Sequence, residues 1–170
     1  TPPGLRWINP HSVFWKSFRK SSWKSPAGDK MKIILAQTAG FCFGVDRAVS
    51  ITEKAASEGK HAVTLGPIIH NHHVVEHFER LGVSVIDQPD QAEPGTTVII
   101  RSHGVSRSVW EELNHLPVEV VDATCPFVKK IHRIVASAEK DGRQAIIIGT
   151  RAHPEVEAIA GWCAHPLVFE

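Results

Sequence analysis

The chain has 170 residues, enough for one domain with a substantial core or for parts of two. Hydrophobic residues make up 42% and charged residues 22%, a composition typical of a globular protein. Residues 31–170 hold 13 Lys/Arg and 17 Asp/Glu, so their net charge of −4 excludes the basic footprint of a nucleic-acid-binding domain. Three scattered cysteines exclude a secreted disulfide framework, and no apolar run approaches the roughly 20 residues of a membrane helix.

Residues 1–30 differ from the rest of the chain. They contain six Lys/Arg, one acid, many Ser and Pro residues and no clear periodicity, and Met31 directly precedes the first strand pattern. We predict a disordered leader or an upstream artefact that does not belong to the fold. The alternative is a transit peptide, because such segments are basic and rich in serine. The protein is then expected in the bacterial cytoplasm, or in a plastid if the leader is a transit peptide.

Strand and helix patterns alternate after the leader. Strands are predicted at Lys32–Ala36, Ala62–Leu65, Val83–Ile86, Thr97–Arg101, Val118–Val121 and Ala145–Ile148. Helices are predicted from Val45 to a cap at Gly59, from Asn71 to Gly82, from Ser106 to Leu116, from Pro126 to Gly142, and onward from Pro154. This alternation predicts an α/β fold in which helices cover parallel strands.

An internal repeat is visible without any comparison. A shift of 83 residues places Cys42 on Cys125 and His70 on His153, with eight identities in 29 ungapped positions, where composition alone predicts roughly two. Shared glycine caps and apolar positions are common to all β–α units, but a cysteine and a histidine in register are not. We therefore predict repeated parallel-sheet α/β units: a first unit at 31–125 and a truncated second unit at 126–170.

Five residues that can bind a metal or an anion each follow a predicted strand: Cys42, His70, His103, Cys125 and His153. Ligands of parallel α/β folds bind beyond the carboxyl ends of the strands, so these side chains are expected to meet at one rim. Cysteines at helix N-termini favour the thiolate, and the same helix ends attract phosphate oxygens. Cys163 lacks a repeat partner and is expected to pack in the core, whereas Arg101, Lys129 and Arg151 cannot be separated from surface charge.

The same segments carry a resemblance to a known family. They resemble, in order, five motifs of the 4-hydroxy-3-methylbut-2-enyl diphosphate reductases of the LytB family: Gly40–Ala48 around Cys42, His70-Asn71, Ser102–Ser106 around His103, Asp122–Pro126 around Cys125, and His153–Val156. The resemblance covers nearly the whole chain after the leader. It implies the amino-terminal part, one unit and a portion of the next, of an enzyme with three similar α/β units about a pseudo-three-fold axis.

The resemblance also implies a function for each residue. Cys42 and Cys125 would be ligands of a [4Fe-4S] cluster whose third cysteine ligand is absent from this chain. His70, His103 and His153 would bind 4-hydroxy-3-methylbut-2-enyl diphosphate, and Glu155 would deliver a proton. Ferredoxin or flavodoxin would supply electrons, and the products would be isopentenyl and dimethylallyl diphosphates. With two of three thiolates, the chain by itself is expected to be inactive.

Two alternatives use the same cysteines. The first is a non-catalytic fragment that binds Zn²⁺ through Cys42, Cys125 and histidines. The second is a thiol redox protein with a Cys42–Cys125 disulfide. Neither alternative needs His103 or Glu155 at its position, which favours the reductase.

Overall fold

The computed structural model describes residues 40–170. The chain divides into two units, Thr1–Cys42 and Phe43–Glu170. The predicted leader and the predicted strand Lys32–Ala36 lie outside the described residues. The predicted boundary between two α/β units after Cys125 stays a prediction.

The unit Phe43–Glu170 alternates helices and strands, as the sequence predicts. Its helices are α1 (Phe43–Ser57), α2 (His72–Arg80), α3 (Arg107–His115), α4 (Pro126–Lys140) and α5 (Pro154–Ala160). Its strands are β1 (Ala62–Leu65), β2 (Ser84–Ile86), β3 (Thr97–Ile100), β4 (Glu119–Asp122), β5 (Ile146–Ile148) and β6 (Leu167–Phe169). The structure adds a 3-10 helix at Pro89–Gln91 and strand β6, neither of which was predicted.

Four strands form one parallel sheet in the order β2-β1-β3-β4. The chain moves outward from β1 to β2, then crosses to the other side of β1 and continues through β3 to β4. The direction of winding therefore reverses between β1 and β3. In open parallel sheets the ligand crevice lies at this reversal, outside the carboxyl ends of the strands.

The two central strands form the core of the sheet. Every residue of β1 and of β3 is buried, as expected for parallel strands covered on both faces. Leu65 and Ile100, the last residues of these strands, belong to an apolar cluster with Leu113 of α3. This packing fixes the ends of β1 and β3, and therefore the origins of the loops that follow them.

Two helix starts confirm the predicted caps. The Asn71 side chain accepts a hydrogen bond from the His73 amide (3.1 Å), and the Ser106 hydroxyl accepts one from the Val109 amide (3.3 Å). At the start of α4, Pro126 occupies the first turn as predicted, where no amide hydrogen is needed. The residues that begin these helices could therefore be recognised in the sequence.

The second sheet reproduces the predicted repeat. It contains β5 and β6 only, paired in parallel. Helix α4 follows α1 by 83 residues at both ends, and β6 follows β2 by the same shift. Hydrogen bonds repeat too: Gly66 N–H donates to Ile86 (2.7 Å), and Gly149 N–H donates to Phe169 (2.8 Å). The register of Cys and His thus belongs to two structurally equivalent segments.

One face of the small sheet carries large apolar side chains that are exposed to solvent. The exposed fractions are 64% for Ile146, 85% for Ile148, 46% for Leu167 and 56% for Phe169. Within residues 40–170, no helix combines the length and apolarity needed to cross a membrane.

Candidate functional site

Backbone hydrogen bonds join three loops at the carboxyl edge of the four-stranded sheet. The Ser102 amide, after β3, donates to the Ile68 carbonyl after β1 (3.1 Å). The Cys125 amide, after β4, donates to the Ser102 carbonyl (2.9 Å). The loops that carry His70, His103 and Cys125 are therefore neighbours along one edge of the sheet, at the point where the winding reverses.

Three of the sequence-predicted residues meet there and form what we call the histidine cluster: His70, His103 and His153. The ring centroids of His70 and His103 are 4.4 Å apart, and that of His153 is 5.3 Å from His70 and 5.8 Å from His103. Three imidazoles within this distance offer several hydrogen-bond donors to one ligand, an arrangement suited to an anion with many oxygens.

His103 is held in its neutral form. Burial, together with electrostatic repulsion from the neighbouring His70, Arg101 and His153 side chains, lowers the pKa of His103 to about 4. Its Nδ1 atom is buried and has no hydrogen-bond partner within residues 40–170. An unpaired buried ring nitrogen is costly, so this atom is well suited to accept or donate a bond when a ligand enters.

His153 and Glu155 lie at the start of α5. His153 is the N-cap, and its Nδ1 accepts a hydrogen bond from the Glu155 amide (3.2 Å). When neutral, His153 therefore carries its proton on Nε2, which is the donor left for a ligand. Glu155 is half-buried, two residues along the chain from the histidine cluster.

Cys125 is the N-cap of α4, but its side chain makes no capping hydrogen bond, and its thiol is free and half-buried. The first turn of α1 packs closely against it. A Cβ built at Gly44 would lie 2.5 Å from Cys125 Sγ and 3.0 Å from its Cβ, so only glycine fits. Two hydrogen bonds from Arg47 (both 3.2 Å) bind the Asp122 and Thr124 carbonyls just before this cysteine. Sequence reasoning missed both α1 contacts, although both residues lie in the first motif.

The other two cysteines have different surroundings. Cys42 is an exposed free thiol that directly precedes α1, as predicted. It belongs to the unit Thr1–Cys42. Cys163 is a half-buried free thiol that packs against a cluster around Val135 and Ile159, consistent with its predicted packing role.

The three basic residues that the sequence left open are now distinguished. Arg101 is half-buried, and burial lowers the pKa of its guanidinium. It packs over Gly66, where a Cβ would lie 2.5 Å from Arg101 Nη1. Lys129 pairs with Asp122 (2.5 Å), whereas Arg151 is exposed and donates to the Val168 carbonyl (3.0 Å). Of these three residues, Arg101 is the one that adds positive charge beside His103.

The described side chains do not form a preassembled site for a single metal ion. Within residues 40–170, no group of three or more His, Cys, Asp or Glu side chains is arranged to hold one.

Comparison with known proteins is consistent with this arrangement. Residues 33–170 match the family model described as "LytB protein". The chain is 47% identical over 134 residues to the 4-hydroxy-3-methylbut-2-enyl diphosphate reductase of Citrifermentans bemidjiense, which covers 79% of this chain and 47% of that protein. It is 47% identical over 137 residues to the enzyme of the same name from Thermoanaerobacter pseudethanolicus, covering 78% of this chain and 48% of that protein. The chain spans about half the length of the curated relatives it matches.

Solved structures show the same correspondence. The structure of an (E)-4-hydroxy-3-methyl-but-2-enyl diphosphate reductase, described as the terminal enzyme of the non-mevalonate pathway, matches with a TM-score of 0.68 at 40% identity. The match covers 81% of this chain and 50% of that one. An E-1-hydroxy-2-methyl-but-2-enyl-4-diphosphate reductase from Plasmodium falciparum matches with a TM-score of 0.71 at 29% identity, covering 74% and 40%. The predicted resemblance and α/β fold are confirmed.

Proposed function

Because this chain belongs to the LytB family, we propose that it is the substrate-binding, amino-terminal part of a 4-hydroxy-3-methylbut-2-enyl diphosphate reductase. The observation that carries the proposal is the histidine cluster, with ring centroids 4.4 to 5.8 Å apart at the carboxyl edge of the sheet. In this role His70, His103 and His153 bind the diphosphate and the region of the substrate hydroxyl. Because the chain spans about half the length of its relatives, this activity is proposed for the complete enzyme.

The residues around Cys125 fit an iron-sulfur cluster. The Cys125 thiol is free and stands at a helix start without making a capping hydrogen bond, so it is open to bind a metal. Cys42 directly precedes α1, at the equivalent position of the repeat. We assign Cys42 and Cys125 as two of the three cysteine ligands of a [4Fe-4S] cluster. When bound, such a cluster supplies single electrons and a Lewis-acidic iron for an allylic hydroxyl.

The protein's own groups then have separate tasks. The histidine cluster holds the diphosphate, with His153 donating from Nε2, because its Nδ1 accepts from the Glu155 amide. Arg101 adds positive charge beside His103, which favours an anionic substrate. Glu155 delivers a proton to the departing hydroxyl oxygen, so that water leaves. Ferredoxin or flavodoxin is the proposed electron donor, and isopentenyl and dimethylallyl diphosphates are the proposed products.

Cluster binding is tested on the chain itself. It is purified without oxygen, supplied with iron and sulfide, and studied by visible absorption and electron paramagnetic resonance. We expect the cluster signal to be lost in Cys42→Ser and Cys125→Ser and kept in Cys163→Ser, the matched control. Equal signals in all three variants would contradict the ligand assignment. Tight binding of zinc in place of iron would favour the metal-binding alternative for this chain.

Catalysis is tested in a chimaera. Residues 33–170 replace the corresponding segment of the Citrifermentans bemidjiense relative, so that the other half of the enzyme is supplied. We expect reductase activity, which Glu155→Gln lowers by about 10²-fold or more, the range of a positioned acid. The control is Glu111→Gln, on the exposed face of α3. An active chimaera that is unaffected by Glu155→Gln would refute the assignment of the proton donor.

A further inference from the structure

His132 is a buried imidazole that the proposed function does not use. It lies on α4, and 5% of its surface is exposed. Its Nε2 atom has no hydrogen-bond partner within residues 40–170, and burial lowers the pKa of His132 to about 4. A buried polar ring without a partner costs stability, and packing alone would favour an apolar side chain at this position.

The ring of His132 contacts both an indole and a glycine. It stacks on Trp162, with centroids 5.3 Å apart and planes inclined by 19°. It also lies against Gly104, where an added Cβ would be 2.7 Å from His132 Cε1 and 3.5 Å from Nε2. Gly104 has a φ of +77°, so both the backbone conformation and the close approach require glycine.

Gly104 directly follows His103, and the turn that contains both is held at each end. Before His103, the Ser102 amide donates to the loop after β1 (3.1 Å). After it, the Val105 carbonyl accepts a bond from the Trp162 indole (2.9 Å). The middle of the turn is closed by a hydrogen bond from the Gly104 amide to the Arg101 carbonyl (3.0 Å), and the His132 ring lies against it.

We propose that His132 is a positioning residue that holds the 102–105 turn and so sets the His103 ring within the histidine cluster. The inference rests on the proposed function, in which His103 binds diphosphate. The flat ring stacks on Trp162 and lies against Gly104, so it restricts the positions that the turn can take. A cavity of about 220 Å³ lies beside the ring, so truncation of His132 opens a space into which the turn relaxes.

The first test does not depend on a ligand. Nuclear magnetic resonance spectra of the 170-residue chain should show a contact between the His70 and His103 rings, whose centroids are 4.4 Å apart. We expect His132→Ala to abolish this contact and His132→Phe, which keeps a flat ring, to restore it. The control His115→Ala removes an exposed imidazole on α3 and should change nothing. A contact that persists in His132→Ala, or that stays lost in His132→Phe, would overturn the proposal.

The second test uses inorganic diphosphate as the probe, measured by calorimetry far below the unfolding temperature. We expect His132→Ala to weaken binding by about tenfold or more, the size of the loss when a partner that orients a metal-binding histidine is removed. Unchanged affinity with only a lower melting temperature would mean that His132 is merely structural. If His132→Ala does not fold, Trp162→Phe removes the bond to Val105 and should weaken diphosphate binding in the same direction; unchanged binding there would also count against the proposal.

His103→Gln separates the two hypotheses. If it abolishes diphosphate binding while His132→Ala does not weaken it, positioning is wrong and the proposed function stands. If His103→Gln binds like the unaltered chain, the diphosphate role of His103 is wrong, and the ring contact still decides whether His132 positions it.

Discussion

Replacing Gly104 with alanine tests how tightly the His103 turn is packed. Left-handed backbone at a non-glycine residue costs about 1–2 kcal/mol. The new Cβ would also lie 2.7 Å from His132 Cε1 and 2.9 Å from Thr124 Cγ2, well inside contact distance. Overpacking of this kind costs about 1–3 kcal/mol, so Gly104→Ala should lower the free energy of unfolding by about 2–5 kcal/mol.

Gly142→Ala is the matched control. Gly142 has a φ of +69°, but a Cβ built there would meet no atom of residues 40–170 within 4 Å beyond its own chain neighbours, so only the backbone cost remains. The two substitutions change the unfolded chain equally. The difference between their free energies of unfolding therefore measures the cost of the new contacts with the His132 ring and Thr124, about 1–3 kcal/mol. Thermal unfolding measures this, since about 1 kcal/mol shifts the melting temperature by about 2–4 °C at this chain length. Equal melting temperatures for the two variants would refute the tight packing of the turn.

Further predictions concern the same rim. The pKa of His103 is lowered to about 4, below its ordinary value, so the neutral ring stabilises the fold above pH 6.5. That contribution is lost as the pH falls from about 6.5 to about 4. Urea unfolding across this range should show a shallower pH dependence in His103→Gln, and an unchanged slope would contradict burial of the ring. Arg47→Met removes two bonds to backbone carbonyls (3.2 Å each) and should cost about 1.5–3 kcal/mol, measured by urea unfolding against the exposed control Arg80→Met. Gly44→Ala places a methyl group against the thiol of Cys125 and should slow its alkylation, measured with the other cysteines replaced by serine; an unchanged rate would mean that the thiol faces elsewhere.

Local chemistry made much of the fold predictable. Asn71 and Ser106 are cap residues followed by apolar positions at helical spacing, and both begin helices as predicted. Continuous β-branched runs identified the buried strands β1 and β3. Strand β6 was missed, although the 83-residue repeat maps β2 onto it, because a strand of three residues has little pattern of its own.

The candidate site was predictable where topology decides it. Residues that follow parallel strands meet at one edge, and this rule brought His70 and His103 together. The contacts that hold the loops of this site in place were not predictable, because they depend on packing between elements that are distant in the sequence. No pattern indicates that His132 touches Gly104, or that Arg47 reaches the carbonyls before Cys125. Glycine within a motif is a signal of close approach, but the sequence does not say to which atom.

The apolar face of the small sheet has a consequence for handling the protein. Ile148 and Phe169 stand exposed side by side on paired strands, and within the described chain each strand of this sheet has one edge without a partner. An unpaired strand edge beside an exposed apolar surface favours self-association of the protein. Colloidal stability should therefore decrease with protein concentration and with sulfate, which strengthens apolar association. Spectra of the isolated chain are best recorded dilute and at low salt, where self-association does not broaden the resonances of the rim.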